Sequence, residues 1–346
     1  MYDPPMIDLR SDTLTGPSEQ MRTAARDAEV GDDKRDGDPT VGELEARTAD
    51  LLGMERALFL PSGTMGNQVA ACAHTEPGQE VLVDRKAHVI TSERSGLARL
   101  SGLQIRMIEP TRRGVIRPED VQAGVEECRY SWPGVGLLLL ENTHNKRGGT
   151  VITPDEIDGA AEAAHDHDVR VHLDGARLVN AAVARDCDIS RFTASIDSVM
   201  FDLSKGLGAP IGAVLAGSET FVDHAEELRN LFGGGLRQAS VVAGPGLVAL
   251  SNVDRLAEDH RNAERLASEL AELDPLDVQP PETNIVLVDV SATGLAAEEF
   301  VRKCEAEGVR ADLIDDRVVR FCTYSDVDRD DVTRAASAVR RSLDAT

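Results

Sequence analysis

The sequence predicts an α/β protein: a large amino-terminal domain built on a mainly parallel sheet, followed by a smaller α+β carboxyl-terminal domain. Three observations carry this expectation. Short apolar runs recur from residue 57 to 217, each followed by a stretch of helical periodicity, and that alternation is the mark of parallel strands joined by crossover helices. One of these runs, Leu137 to Leu140, is apolar throughout, as a strand covered on both faces must be. After Pro275, Pro280 and Pro281 the order changes to strand, helix, two short strands and a terminal helix. A chain of 346 residues can hold both domains, and we set the division at 1–250 and 251–346, with a linking helix opening the second part.

Composition narrows the function. Sixty-one acidic residues face 37 basic ones, for a net charge of −24. Such a surface repels the phosphates of nucleic acid and of anionic lipid, so neither is an expected partner. Only five of the bases are lysine: Lys34, Lys86, Lys146, Lys205 and Lys303. An acid-rich, lysine-poor surface is tolerable where salt screens self-repulsion, which predicts a halophilic protein of a salt-rich cytoplasm. The five cysteines (Cys72, Cys128, Cys187, Cys304 and Cys322) are odd in number and show no CxxC pairing, which points to reduced thiols rather than a disulfide framework or a zinc site. No apolar run approaches the ~18 residues of a membrane span, and the start of the chain lacks a basic-then-apolar leader. A soluble, cytoplasmic protein is expected.

Taken in order, MIDLRSDTLTGPS is polar and turn-like, with Arg10, Ser11 and Asp12 beside Ile7 and Leu9, and Pro17 is placed to open a helix at its first turn. Asp38-Pro39-Thr40 starts a helix with Val41, Leu44, Leu51 and Leu52 on its apolar face, and Glu43 is spaced for a capping box from Thr40. A strand at Ala57 to Leu60 breaks at Pro61 and leads through Ser62-Gly63-Thr64 into a helical run. Amides at a helix start, with hydroxyls beside them, form a phosphate cradle. Strands follow at Val81 to Val83, ahead of His88, and at Ile105 to Ile108. A helix is expected over Pro118 to Cys128, and then the Leu137 strand, which ends in Glu141-Asn142-Thr143-His144-Asn145. Helix 154–166 precedes VRVHLDGARLVN. The later stretch SIDSVMFDLSKGLGAP and a strand at Ile211 to Ala216 complete the sheet. Beyond Gly233-Gly234-Gly235 and Arg237, a long helix is expected over roughly 240–272, then strand 284–290, helix 296–307, strands 309–313 and 317–323, and the terminal helix.

The chemistry concentrates in two of these stretches. VRVHLDG delivers Asp174 and SVMFDLSKG delivers Lys205, each just past an apolar run. Ligands in open α/β sheets bind beyond the carboxyl ends of strands, so a carboxylate and an amine meet in one crevice. Pyridoxal phosphate requires that pair: its aldehyde forms a Schiff base with lysine, and its ring nitrogen stays protonated against an aspartate. Lys205 also lies between the small residues Ser204 and Gly206, which let a flat cofactor approach.

With those residues in hand, the chain resembles the low-specificity L-threonine aldolases, fold-type-I pyridoxal phosphate enzymes of the β-eliminating lyase/threonine aldolase group. DLRSDTLT, AEVGDD, DPTVGELE, LFLPSGTMGNQVA, LENTHN, VHLDGARLVNA, DSVMFDLSKGLGAPIG, GGGLRQA and EDHRNAERLA all fall in family order. The resemblance implies Lys205, His88 and Asp174 as catalytic residues, with His88 against the cofactor ring and assisting the hydroxyl proton transfer. It implies a phosphate seat of Ser62, Gly63, Thr64 and Ser204, completed by Arg237 from a neighbouring subunit, and Arg177 among the residues lining the cofactor. Ser11, Arg177 and Arg320 would clamp the substrate carboxylate, a task suited to the planar guanidinium fork. The implied reaction is retro-aldol cleavage of a β-hydroxy-α-amino acid to glycine and an aldehyde, in a homotetramer arranged as a dimer of dimers with shared active sites. No metal is implied, and no cluster in the sequence has ligand spacing.

The chain departs from that pattern at four places. Val89 to Ser92 stand where an aromatic is usual after the histidine, and Ser131 where a histidine is expected; Asn230 replaces a lysine, and Lys34-Arg35-Asp36-Gly37 a tyrosine-containing turn. The preferred β-substituent is therefore open. So are two other readings: a β-eliminating lyase or racemase using the same cofactor, and a cofactor-binding protein with little catalysis.

Overall fold

The computed structural model describes residues 6–130 and 132–344; Ser131 therefore lies outside the described residues. Thirteen strands, numbered in chain order, are β1 (Ile7–Asp8), β2 (Arg56–Leu60), β3 (Glu80–Asp84), β4 (Gln104–Ile108), β5 (Val135–Glu141), β6 (Arg170–Gly175), β7 (Ser198–Asp202), β8 (Ala213–Gly217), β9 (Asp277–Gln279), β10 (Ile285–Asp289), β11 (Val309–Arg310), β12 (Asp312–Leu313) and β13 (Val318–Cys322). The chain divides into two compact units. The larger comprises Gly16–His144 and Val151–Val253; the smaller takes the described residues up to Thr15, Asn145–Thr150 and those from Asp254 onward.

The larger unit is built on a seven-stranded sheet in the order β2-β8-β7-β6-β5-β3-β4. β7, β6, β5, β3 and β4 run parallel, while β8 is antiparallel to both β7 and β2. Two reversals restore direction, so β2 ends on the same edge as β3, β5, β6 and β7. The sheet expected from the sequence is therefore present, and its one reversed strand still leaves Ser62, His88, Asp174 and Lys205 beyond strand ends of one edge. Both faces are covered: in register, Val81, Leu137, Met200 and Leu215 are buried on one face, under the helix that carries Val69, Ala70 and Ala71, and Leu82, Leu138, Val171 and Val199 are buried on the other. That is why the strands read as continuous apolar runs. Gly212 holds φ +114, and a Cβ there would stand 2.4 Å from the Phe59 ring, so only glycine lets β8 close against β2.

Several local expectations are corrected. The first helix is Glu19–Asp27, capped by the Ser18 hydroxyl, which accepts from Met21 N at 3.2 Å; Pro17 stands before the cap rather than in the first turn. The second, Pro39–Leu52, begins at its proline, where no N–H is needed, so Thr40 falls inside the first turn and its Oγ1 donates to the Glu29 carbonyl at 2.9 Å. The capping box with Glu43 is not formed. The single helix expected over 240–272 is two, Ser240–Ala249 and Leu256–Ala271, separated by a tighter turn at Val253–Arg255. Asn252 breaks the run by donating its side-chain amide to the Leu207 carbonyl at 2.8 Å.

The smaller unit carries an antiparallel sheet in the order β12-β13-β10-β9 and a separate parallel pair, β1 with β11. Residues 309–313 were expected as one strand. They divide at Ala311 because Val309–Arg310 pairs with β1 and Asp312–Leu313 with β13. Ile7, Leu266, Leu270, Val286, Val288, Phe300, Phe321 and Val339 form its core. The helix Leu256–Ala271 supplies Leu256, Ala263, Leu266, Ala267 and Leu270 at helical spacing. Leu266 is fully buried, so Leu266→Ala should destabilise this unit by about 2–5 kcal/mol, read as a lowered urea midpoint.

Candidate active site

Lys205 follows β7 by three residues. Its Nζ donates to Asp202 Oδ2 at 2.7 Å, and its side chain keeps 19% of its surface exposed. Asp202 also accepts from the amide and hydroxyl of Ser204, each at 2.7 Å on Oδ1, so one carboxylate orders the whole turn. The helix Gly63–His74 comes against the same place. An ideal Cβ on Gly63 would lie 3.2 Å from Asp202 Oδ2 and 3.1 Å from Met200 Cε. Glycine therefore lets the helix start approach the lysine turn. Ser62 caps that helix: its Oγ accepts from Met65 N at 3.2 Å and its carbonyl from Gly66 N at 3.1 Å. The amides of Gly63 and Thr64 remain as the first-turn donors, beside two accessible hydroxyls.

Asp174 sits near the end of β6, 1% exposed. Its Oδ2 accepts from Asn67 Nδ2 at 2.9 Å and its Oδ1 from Ala176 N at 3.1 Å. Burial, and then the charges of Glu141 and Glu93, push its carboxyl up to about 6, against the opposing pull of His88 and Lys205. Gly175 follows it, where a Cβ would lie 2.7 Å from the Met200 carbonyl oxygen, so β6 and β7 stay close here.

His88 opens a four-residue helical turn after β3. Its backbone amide donates to Glu141 Oε2 at 2.6 Å, and its Nδ1 meets Glu93 Oε1 at 2.8 Å. Glu93 is enclosed and also accepts from Asn67 Nδ2 at 2.9 Å and Gln68 Nε2 at 2.7 Å. An ionised carboxylate only accepts, so His88 Nδ1 carries the proton and Nε2 is its free face. The Glu93 hydrogen bond raises the His88 imidazole above its ordinary range; burial opposes this, while Asp174, Glu93 and Glu141 add charge in the same sense. The donor atoms of His88, Glu93 and Asp174 lie within 4.8 Å of one another, a grouping that sequence spacing does not reveal. Those atoms are already occupied by the Nδ1 proton and the Asn67 amide.

The larger unit thus brings together Ser62, Gly63, Ser204 and Lys205, and separately ties His88 to Asp174 through Glu93 and Asn67. Arg177, in the same unit, is buried. Arg237 is not with them: it is exposed and pairs with Asp32 at 3.3 Å. Ser11 and Arg320 belong to the smaller unit. There Ser11 caps a short turn through Thr13 N at 3.2 Å. Arg320 is held by Asp312 at 2.7 Å, Asn145 Oδ1 at 2.7 Å and the Arg10 carbonyl at 2.8 Å. Its buried Nε makes no hydrogen bond. Sequence reasoning missed Glu93, Asn67 and Asp202. Only Asp202 left a signal, three residues before Lys205.

Comparison with known proteins places the chain in a family. A family model described as "Beta-eliminating lyase" matches residues 8–293. The chain belongs to the β-eliminating lyase family. It is 34% identical over 344 residues to low-specificity L-threonine aldolase 1 of Arabidopsis thaliana, covering 97% of this chain and 96% of that one. It is 38% identical over 339 residues to the low specificity L-threonine aldolase of Escherichia coli strain K12, covering 98% and 99%. A threonine aldolase structure from Leishmania major superposes with a TM-score of 0.81 at 19% identity, over 97% of this chain and 99% of that one, and carries the fold-type-I architecture. The protein is a pyridoxal-phosphate-dependent lyase.

The residues present fit that cofactor. Asp174 is an acid crowded by two others, and a protonated ring nitrogen brings the positive charge the position lacks. Lys205 supplies an accessible amine, and the open first turn at Gly63 a phosphate seat. Removing the Glu93 charge should let His88 lose its proton at lower pH, because the hydrogen bond to Glu93 favours the charged ring. An NMR titration of the His88 ring should show a lower midpoint in Glu93→Gln than in the wild-type chain.

Proposed function

We propose that the enzyme cleaves L-threonine, L-allo-threonine or a related β-hydroxy-α-amino acid by a retro-aldol reaction, giving glycine and an aldehyde. One observation carries this reading: a lysine, a buried aspartate and an open helix start lie beyond one edge of one sheet, in a chain matched almost end to end by low-specificity L-threonine aldolases. Bound there, pyridoxal phosphate supplies an aldehyde for an amine and a cationic ring that accepts an electron pair.

The chain's own residues divide the remaining work. Lys205 holds the cofactor and yields it to the substrate amine. Asp174 keeps the ring nitrogen protonated. Ser62, Gly63, Thr64 and Ser204 seat the phosphate, with Arg237 reaching from a neighbouring subunit. Arg177 lies beside the cofactor and, with Ser11 and Arg320, takes the substrate carboxylate; the partnerless Nε of Arg320 supports that assignment. His88 would lie against the ring and move the β-hydroxyl proton through Nε2, the nitrogen Glu93 leaves free. Ser92 is exposed at a position where the family resemblance implies an aromatic, which supports a β-substituent beyond threonine's methyl among the substrates.

We assign the enzyme to the cytoplasm of a halophile, as a homotetramer. The net charge of −24 and five cysteines outside any disulfide support the compartment. No helix among the described residues is long and apolar enough to cross a membrane. The assembly is supported by exposed apolar residues at Val30, Leu231 and Val241, on segments brought together by the Asp32–Arg237 pair.

Product analysis with L-threonine, L-allo-threonine and phenylserine tests the reaction. Wild-type protein should release glycine and aldehyde, and Lys205→Ala should lose roughly three orders of magnitude in rate or more. A keto acid with ammonia would assign the β-eliminating reaction instead. Screening of the acidic surface predicts that the thermal midpoint rises steadily with potassium chloride, whereas a salt-independent midpoint would remove the halophilic assignment.

A further inference from the structure

A line of buried polar side chains runs away from Asp174 to the far side of the larger unit. Asn67 Oδ1 meets His172 Nε2 at 3.1 Å, His172 Nδ1 meets Ser198 Oγ at 2.8 Å, and Ser198 Oγ meets His74 Nε2 at 2.7 Å. His172 and Ser198 are fully buried on neighbouring strands β6 and β7. His74 ends the helix that Asn67 sits on, stacks on Phe221 with ring centroids 4.4 Å apart, and lines a cavity of about 610 Å³.

The polarity of this line follows from its inner end. Asp174 and Glu93 accept both hydrogens of the Asn67 amide, so Asn67 Oδ1 must accept. His172 therefore donates from Nε2, and its neutral ring accepts at Nδ1. Ser198 donates its hydroxyl to that nitrogen and accepts from His74 Nε2. Every bond has one allowed direction. Both rings are neutral near pH 7: burial, and then the neighbouring His74 when it is protonated, hold His172 down to about 3, against the Ser198 backbone, and burial holds His74 down to about 4, with Asp197 opposing and Arg170 and His224 assisting.

We propose that Asn67, His172, Ser198 and His74 form a positioning relay that locks the Asn67 amide with its NH2 group toward Asp174 and Glu93. The proposal rests on the reading of Asp174 as the partner of the cofactor ring nitrogen, which it deepens. Asp174 is also faced by Glu141, Glu93, His88 and Lys205, so the orientation of one neutral amide decides whether two nearby acids have a shared donor. Remove the Ser198 hydroxyl and the His172 proton is free to move to Nδ1, toward the Ser198 backbone. Nε2 then accepts, the amide turns to donate to it, and Asn67 Oδ1 is aimed at the carboxylates. An oxygen facing Asp174 favours its protonated form.

Infrared difference titration of the full-length apoprotein reads this directly, with the protonated-carboxyl band assigned by Asp174→Asn. Ser198→Ala and Ser198→Val, which both remove the hydroxyl and leave His172 Nε2 in place, should move the Asp174 midpoint up by about one pH unit and weaken pyridoxal phosphate binding about tenfold. Ser198→Thr, which keeps the hydroxyl, should restore both. Two breaking variants are used so that loss of fold in one, judged by circular dichroism, leaves the other to read. A wild-type midpoint in a folded breaking variant overturns the relay. If the midpoint moves while Asp174→Asn binds the cofactor as tightly as wild type, the relay stands and the assignment of Asp174 to the ring nitrogen falls.

Discussion

The burial of Asp174 among other acids is the constraint on which the rest of the site depends. A carboxylate enclosed with Glu93 and Glu141 nearby stays ionised only if donors and positive charge reach it. Asn67, Ala176 N, His88 and Lys205 meet that need in part, and on the proposed assignment the cofactor's ring nitrogen would be the remaining counter-charge. The site is thus electrostatically incomplete by itself. An acid that needs a cation is what a cation-stabilising position should be.

Sheet topology brings those groups to one level. Were β8 antiparallel to only one of its two neighbours, β2 would not end where β7 ends, and the helix start at Gly63 would not come near Asp202. The same helix carries Asn67 one turn further on, so the helix start proposed as the phosphate seat and the support for Asp174 share one rigid element. Glu93 adds a second tie, since its carboxylate contacts that helix through both Asn67 and Gln68 and fixes the proton of His88.

Much of this was legible in the sequence because strand burial is written as apolar runs, and because Asp174 and Lys205 stand directly after two of them. The parallel sheet and the placing of Asp174 and Lys205 beyond its strand ends followed from that. What was not legible depends on contacts between distant segments. Glu93 sits in a polar stretch between Ser92 and Arg94 and looks like a solvated charge, yet it is buried by side chains from residues 67, 68 and 88. His172 reads as the odd polar residue within an apolar strand, and its purpose is visible only when Ser198 and Asn67 are placed beside it. The expected strand at 309–313 failed for a related reason: apolar pattern reports burial, and says nothing of a change of partner at Ala311.

The one-way direction of the bonds from Asn67 to His74 has an evolutionary corollary. Such a line tolerates change only by whole replacement, because a substituent that accepts where its predecessor donated sets two lone pairs against each other at the next link. Drift at any one member is therefore conditional on the others, and the four positions should be inherited as a block even though three of them, His172, Ser198 and His74, make no hydrogen bond to Asp174. Random libraries that sample these positions one at a time would find them intolerant, and a library that varies them jointly would search a different and more permissive landscape.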